Sequence, residues 1–268
     1  MSNNTYTFIG AGKMASAIAA GMVKSGVEPR SIHAYDVSET ASASFRELTG
    51  ACVFATMAEA LNCADTVILA VKPQYAAEAL AEAKPYLQGK LLISIAAGLT
   101  ISYLQTASGL DRVIRVMPNT PALSLAGMSC YAGANGISGS DLDIAAKILS
   151  SVGIARKVTE SQLDAVTGLS GSGPAFVMEF IMALADGGVH SGLSRDAALE
   201  LALQTVYGTA KMCQESSQSI GELRDAVISP AGTTAEGILV LQKGAFKGMV
   251  SSAVIAAAER SRELGKGK

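Results

Sequence analysis

The feature that most narrows the possible folds is one turn near the amino terminus. Residues 6–9 (Tyr, Thr, Phe, Ile) form an apolar run with strand character. They lead directly into Gly10-Ala11-Gly12-Lys13-Met14-Ala15, after which residues 14–24 repeat apolar side chains at helical spacing. In the pattern G-x-G-x-x-G/A, Gly10 gives the tight turn and Gly12 lets another group approach the backbone. Ala15 allows helix and strand to pack closely. Unpaired N–H groups at the helix start then face a pyrophosphate. A lone G-x-G-x-x-G is a weak signal. Here a strand precedes it, an amphipathic helix follows, and Asp36 stands at the end of the second apolar run, near the offset of about 20 residues that a ribose-binding acid has. The turn therefore predicts a dinucleotide site. Asp36 can accept from a ribose 2′-OH and would repel a 2′-phosphate. Alanine at the third glycine position is common among NADP binders, so NADH and NADPH both stay open.

The rest of the first half alternates short apolar runs with helical patterns. Strands are predicted at 32–35, 52–55, 67–71, 91–95 and 113–117, and helices at 40–48, 57–62, 75–83 and 101–106. Runs at 128–132 and 154–158, around a helix at 141–152, complete the sheet. This alternation implies βαβ units and a parallel, Rossmann-type α/β sheet. Beyond residue 160 the pattern is helical throughout: 162–169, 174–191, 194–215, 220–227, 233–242 and 245–264. The expected domains are 1–160 for the dinucleotide and 161–268 for an all-helical remainder. Several of these helices are small and apolar on nearly every face, so they need partners on several sides. A segment this short is too small to cover them alone, which predicts packing against a second copy of the chain.

Composition removes other classes. A net charge of −2 with no basic patch argues against nucleic acid. The cluster Arg260, Arg262, Lys266 and Lys268 reads as a solvated chain end. Cys52, Cys63, Cys130 and Cys213 form no CxxC pair, and His33 and His190 are isolated, so no metal site is expected. Unpaired cysteines fit a reducing, cytoplasmic setting. No basic-then-apolar leader and no continuous apolar run of membrane-spanning length appears, so neither secretion nor a membrane is predicted.

The absence of an obvious proton donor is informative. Reduction of a ketone leaves an alkoxide, and such enzymes supply a proton from a placed His, Tyr or Lys. Neither histidine has such a setting. Lys72, closing the fourth strand, sits at the carboxyl edge where ligands bind and reads as a cofactor contact or an acid. A protonated imine is already electrophilic and needs orientation more than acid catalysis, so the sequence leans toward C=N reduction. Two later helix starts look suited to anions. Ser170-Gly171-Ser172-Gly173-Pro174 places proline at a first helical position. Ser229-Pro230-Ala231-Gly232-Thr233-Thr234-Ala235-Glu236 contains a Thr-x-x-Glu capping box. A hydroxyacid dehydrogenase, with Lys211 as its acid–base group, and a non-catalytic dinucleotide sensor remain as rivals.

At these residues the chain resembles the pyrroline-5-carboxylate reductases. The matching motifs run through nearly its whole length: Phe8-Ile9-Gly10-Ala11-Gly12-Lys13-Met14, Ala70-Val71-Lys72-Pro73, Ser94-Ile95-Ala96-Ala97-Gly98, Arg115-Val116-Met117-Pro118-Asn119-Thr120-Pro121, Gly168-Leu169-Ser170-Gly171-Ser172-Gly173-Pro174-Ala175 and Ser229-Pro230-Ala231-Gly232-Thr233-Thr234. The resemblance implies reduction of 1-pyrroline-5-carboxylate to L-proline by NADPH or NADH. It implies a Rossmann domain followed by a helical domain that interlocks with its twin in a dimer, and dimers that build larger homo-oligomers. Gly10, Ala11, Gly12, Lys13 and Met14 would hold the pyrophosphate, with Asp36 at the ribose. Ala70, Val71, Lys72, Pro73, Ala96 and Ala97 would line the ribose and nicotinamide, flanked by Met117, Pro118 and Asn119. Ser229, Gly232, Thr233 and Thr234 would hold the substrate carboxylate, and the Thr234 hydroxyl would contact the ring nitrogen. The family loop usually reads Ser-Pro-Gly-Gly. Here Ala231 replaces the first glycine, which would strain the loop if that position needs positive φ.

Overall fold

The computed structural model describes residues 4–265; Lys266 and Lys268 of the basic tail lie outside them. Eight strands form one sheet: β1 (Tyr6–Ile9), β2 (Ile32–Tyr35), β3 (Cys52–Val53), β4 (Thr66–Leu69), β5 (Leu91–Ser94), β6 (Val113–Met117), β7 (Gly127–Gly133) and β8 (Gly153–Lys157). Their order is β3-β2-β1-β4-β5-β6-β7-β8. The order reverses between β1 and β4, so the carboxyl ends of these two strands open a crevice.

Every pairing is parallel except β6 with β7. The sheet is thus the parallel-dominated, Rossmann-type sheet expected, with one antiparallel pair. Residues 118–126 are too few for a crossover helix and return, so β7 must run back beside β6. The edge strand β3 is also shorter than the predicted 52–55. Phe54 lies just past the strand, its N–H still donating to the Ala34 carbonyl at 3.0 Å, and its ring meets His33 edge-on, centroids 5.4 Å apart.

The central strands are buried on both faces, which is why they read as unbroken apolar runs. Alternate residues feed two cores. Phe8, Ile68, Ile93 and Ile114 pack with residues of α1 (Lys13–Lys24), α2 (Glu39–Thr49) and α6 (Gly139–Ser150). Ile9, Val67, Leu69, Leu92 and Val113 pack with residues of α3 (Met57–Asn62), α4 (Ala76–Ala83) and α5 (Ile101–Ser108). Ser38, Thr56, Thr100 and Ser138 accept backbone N–H groups at the starts of α2, α3, α5 and α6. Such caps satisfy donors that the helix itself leaves unpaired.

The sheet unit does not end at residue 160. Glu160 Oε1 accepts from Arg115 Nη1 at 3.2 Å and from the Ile101 N–H at 2.7 Å. Leu163, which opens α7 (Leu163–Val166), is fully buried in the second core. The unit runs to Ser172 and takes up the chain again from Ala256. Here too the structure departs from the predicted break at 170–174, because Glu160–His190 is one continuous helical stretch. A π-turn, Thr167–Gly171, joins α7 to α8 (Gly173–His190), with the Ser172 N–H donating to the Thr167 carbonyl at 2.8 Å. No free helix start exists at Pro174, so the anion site expected there is withdrawn.

The second unit, Gly173–Ile255, contains α8, α9 (Arg195–Glu215), α10 (Ile220–Ala226), α11 (Thr233–Lys243) and the first half of α12 (Phe246–Gly265). Its buried core is small: Ala185, Ala198 and Ala202, with Ile181 and Val189 against them. Large apolar side chains stand outside it, Met178 at 59% exposure and Val240 at 69%. A single chain leaves these faces uncovered, as the sequence suggested. Glu160–His190 is also long and apolar enough to cross a membrane by length and composition alone.

Candidate active site

The dinucleotide turn is built as its glycines require. Gly10 has φ +100°, and a Cβ there would lie 2.9 Å from the carbonyl carbon and oxygen of Ala70. Gly12 caps α1, and nothing stands within 4 Å of the place its Cβ would occupy. No side chain caps α1 and its first turn carries no acid. Its leading N–H groups therefore remain available to a phosphate, and the open space over Gly12 fits the close approach of a pyrophosphate.

Asp36 is tied into this turn. Its Oδ2 accepts the Ala11 N–H at 2.7 Å and its Oδ1 accepts the Ser38 N–H at 2.8 Å. Ala11 is itself 2% exposed. The carboxylate is thus fixed at the carboxyl end of β2. It borders a cavity of about 470 Å³ also lined by Tyr35, Glu39, Ser42, Arg46 and Phe54. The sequence offered ribose binding for Asp36. A turn role is built, and the half-buried carboxylate still faces the cavity.

Further along the same edge, the Ala70 N–H donates to the Ile9 carbonyl at 2.8 Å. Val71 and Pro73 are half-buried beside it, and the Lys72 side chain is exposed. Ala96 is buried and Ala97 exposed after β5. Met117 and Asn119 are half-buried around the buried Pro118 at the end of β6. Pro73 and Ala97 line a cavity of about 370 Å³ together with Thr167, Ser172, Arg260 and Ser261. Of these last four, Thr167 and Ser261 were not singled out from the sequence, and Ser172 was read as part of a helix start. Arg260 was assigned to a solvated tail, but it lines this cavity, with Nη1 2.8 Å from Glu263 Oε2. Ser261 Oγ donates to Asp164 Oδ1 at 2.6 Å, fixing the end of α12 against α7. No pattern in the chain could have announced a contact so distant in sequence.

The loop 229–234 stands in the helical unit. Ala231 has φ +58°, in the left-handed region, so the strain foreseen for an alanine there is present. The Gly232 N–H donates to the Ser229 carbonyl at 3.0 Å, and a Cβ on Gly232 would lie 2.2 Å from Ser229 Oγ. The predicted capping box is not formed. The residue before α11 is Gly232, with no side-chain cap. Ser229, Thr233 and Thr234 are exposed. The helix start therefore presents uncapped N–H groups and two threonine hydroxyls to a ligand, a geometry suited to a carboxylate.

Alternative acid–base groups are engaged elsewhere. His33 lies within β2 with Nε2 3.1 Å from the Arg30 carbonyl, and burial holds its pKa below the usual imidazole range. His190 Nδ1 is 3.2 Å from the Asp186 carbonyl. Lys211 forms an exposed i,i+4 pair with Glu215 at 3.8 Å.

Comparison with known proteins converges on one family. Residues 160–264 match the family model described as pyrroline-5-carboxylate reductase dimerisation. Residues 5–98 match a model described as NADP oxidoreductase, coenzyme F420-dependent. Pyrroline-5-carboxylate reductase of Arabidopsis thaliana is 47% identical over 259 residues, covering 96% of this chain and 94% of the relative. Among solved structures, the Plasmodium falciparum pyrroline carboxylate reductase with NADP bound aligns with a TM-score of 0.88 at 36% identity, covering 99% of both chains. A pyrroline-5-carboxylate reductase of Coxiella burnetii aligns with a TM-score of 0.93 at 33% identity, covering 98% of this chain and 99% of that one.

Proposed function

The chain belongs to the pyrroline-5-carboxylate reductase family, and we propose that it reduces 1-pyrroline-5-carboxylate to L-proline by holding NADH or NADPH on its sheet edge and the substrate at the start of α11. The observation that carries this reading is the uncapped start of α11, which follows the strained 229–232 turn and carries Thr233 and Thr234. A Rossmann edge alone does not require such a feature.

Gly10, Ala11, Gly12, Lys13 and Met14 would take the pyrophosphate, Asp36 the ribose, and Ala70, Val71, Lys72, Pro73, Ala96 and Ala97 the ribose and nicotinamide side, flanked by Met117, Pro118 and Asn119. When bound, the dinucleotide supplies a hydride to the imine carbon of the pyrroline, the atom that becomes C5 of proline. The chain's own part is orientation. N–H groups and the positive end of α11 hold the substrate carboxylate, and the Thr234 hydroxyl meets the ring nitrogen. With the nitrogen protonated, hydride addition gives the amine directly, so no strong acid is needed. Placement and fixed electrostatics carry most of the rate.

We assign cofactor binding to the sheet unit, and substrate binding and dimerisation to the helical unit. A second copy of the chain, rather than lipid, covers the apolar faces around Met178 and Val240. Dimers assemble into larger homo-oligomers, and the free cysteines support a cytoplasmic setting. The test is loss of nicotinamide absorbance on adding 1-pyrroline-5-carboxylate, with NADPH and NADH run separately. Turnover supports the reading. Cofactor binding without turnover would discard the substrate assignment.

A further inference from the structure

Single π-turns inside helices are frequent at functional sites, and the one at Thr167–Gly171 has an unusual support. In an α-helix the Ser170 carbonyl would pair with the N–H four residues on. That residue is Pro174, which has none. The donor comes from the β6–β7 connection instead: Asn119 Nδ2 reaches the Ser170 carbonyl at 3.1 Å. The other end of the same amide, Oδ1, accepts the Met128 N–H of β7 at 2.8 Å. One donor and one acceptor site of the Asn119 amide are therefore engaged by protein backbone. Beside it, Gly171 lies so close to Met117 that a Cβ would stand 2.5 Å from the Met117 methyl carbon. Thr167 and Ser172, at the two ends of the turn, line the 370 Å³ cavity shared with Pro73 and Ala97. The turn is thus one wall of the space at the carboxyl ends of β4 and β5, where open α/β sheets bind ligands.

We propose that Asn119 is a positioning residue: it fixes the π-turn as a wall of this cavity and so sets how the reacting ring is held, without itself binding the cofactor. The inference deepens the function proposed above and rests on that edge holding the nicotinamide. Misplacement of a reacting group by about an ångström can cost a hundredfold in rate, so the turn need not move far to matter.

The test is Asn119→Asp, which keeps an acceptor for Met128 and replaces the donor to Ser170 with an oxygen. The expected result is a fall in kcat of at least about tenfold, with the NADH dissociation constant within about twofold of wild type by nicotinamide fluorescence. Gly171→Ala forces a methyl against the Met117 terminal methyl within the same turn while leaving Asn119 intact. It is expected to show the same split, and it stands in if Asn119→Asp does not fold. Cofactor affinity that weakens in step with kcat/KM would overturn the proposal, making Asn119 a cofactor contact. Wild-type kinetics in both variants would also overturn it, leaving a purely structural bond. The wild-type chain run alongside separates the failures. If it turns over the pyrroline normally, only the positioning role is lost; if it does not, the function reading falls and takes this role with it.

Discussion

The Ala11 N–H donates to Asp36 Oδ2 at 2.7 Å, so the residue between the two glycines of the dinucleotide turn is tied to the end of β2. This bond holds a negative charge at the end of β2, where the proposed cofactor would place its ribose. Two unit charges about 4 Å apart repel by about 1 kcal/mol in water and about 4 kcal/mol near a protein surface. Asp36→Ser is therefore expected to raise the NADPH/NADH ratio of kcat/KM by about tenfold or more. Steady-state kinetics with each cofactor checks it, and an unchanged ratio would remove Asp36 from cofactor choice.

Thr234 stands exposed in the first turn of α11 with no cap competing for its neighbours' N–H groups. A hydrogen bond to a charged partner contributes about 1.5–3 kcal/mol. Thr234→Ala is expected to lower kcat/KM for the pyrroline by about 10- to 100-fold, and Thr234→Ser to recover most of it. The comparison isolates the hydroxyl from the β-methyl. Wild-type kinetics in the alanine variant would exclude the hydroxyl from the reaction.

Much of this architecture was legible because it follows from local rules. Two-faced burial writes strands such as residues 91–94 as unbroken apolar runs, and the Gly10 turn cannot be made by another residue. What was not legible depends on contacts distant in sequence. The π-turn looked like a helix start because Pro174 suits a first helical position. Only Asn119, 51 residues away from Ser170, shows how the carbonyl is satisfied inside a continuous helix. Arg260 read as tail for the same reason. The failed capping box at Thr233 is different in kind. The helix begins one residue earlier than a cap would place it, and leaves its donors for a ligand.

Met178 lies on α8 of the helical unit and is 59% exposed in the single chain. Charge at an apolar contact is desolvated without a partner and disfavours association. Met178→Glu is expected to shift the species seen by light scattering toward the mass of one chain. The loop 229–234 belongs to the same unit, so activity at low protein concentration should fall with it. A variant with the wild-type assembly would place this face outside the dimer contact.

Ala231 carries its φ of +58° in a position where the family usually has glycine. Holding an L-residue there costs about 1–2 kcal/mol. Glycine would relieve this but would lose about 0.5–1 kcal/mol in chain entropy. Ala231→Gly is therefore expected to stabilise the fold by up to about 1.5 kcal/mol and to leave kcat/KM near wild type. Ala231→Val, β-branched at the same φ, should lower both. Urea midpoints and kinetics on the pair decide it: a destabilised glycine variant would show that the alanine methyl packs usefully in the loop.

Arg112 and Asp141 form a two-point ion pair across the sheet unit, Nη2 to Oδ1 at 2.6 Å and Nε to Oδ2 at 3.1 Å. The Asp141 side chain is 3% exposed and that of Arg112 47%. The Arg112 hydrogen bond, helped by Ser138, holds the Asp141 pKa below the usual carboxylate range against the opposing effect of burial. A carboxylate depressed in the folded state stabilises fully above its unfolded pKa, about 4. That contribution is lost as the pH falls through the folded value. Asp141→Asn should then cost about 1–3 kcal/mol near neutral pH, toward the lower end because water reaches Arg112. The gap between variant and wild type should close on acidification below about pH 4. Urea denaturation of both proteins across that range measures it. A gap that stays constant with pH would mean that the asparagine fails through packing and not through the lost charge.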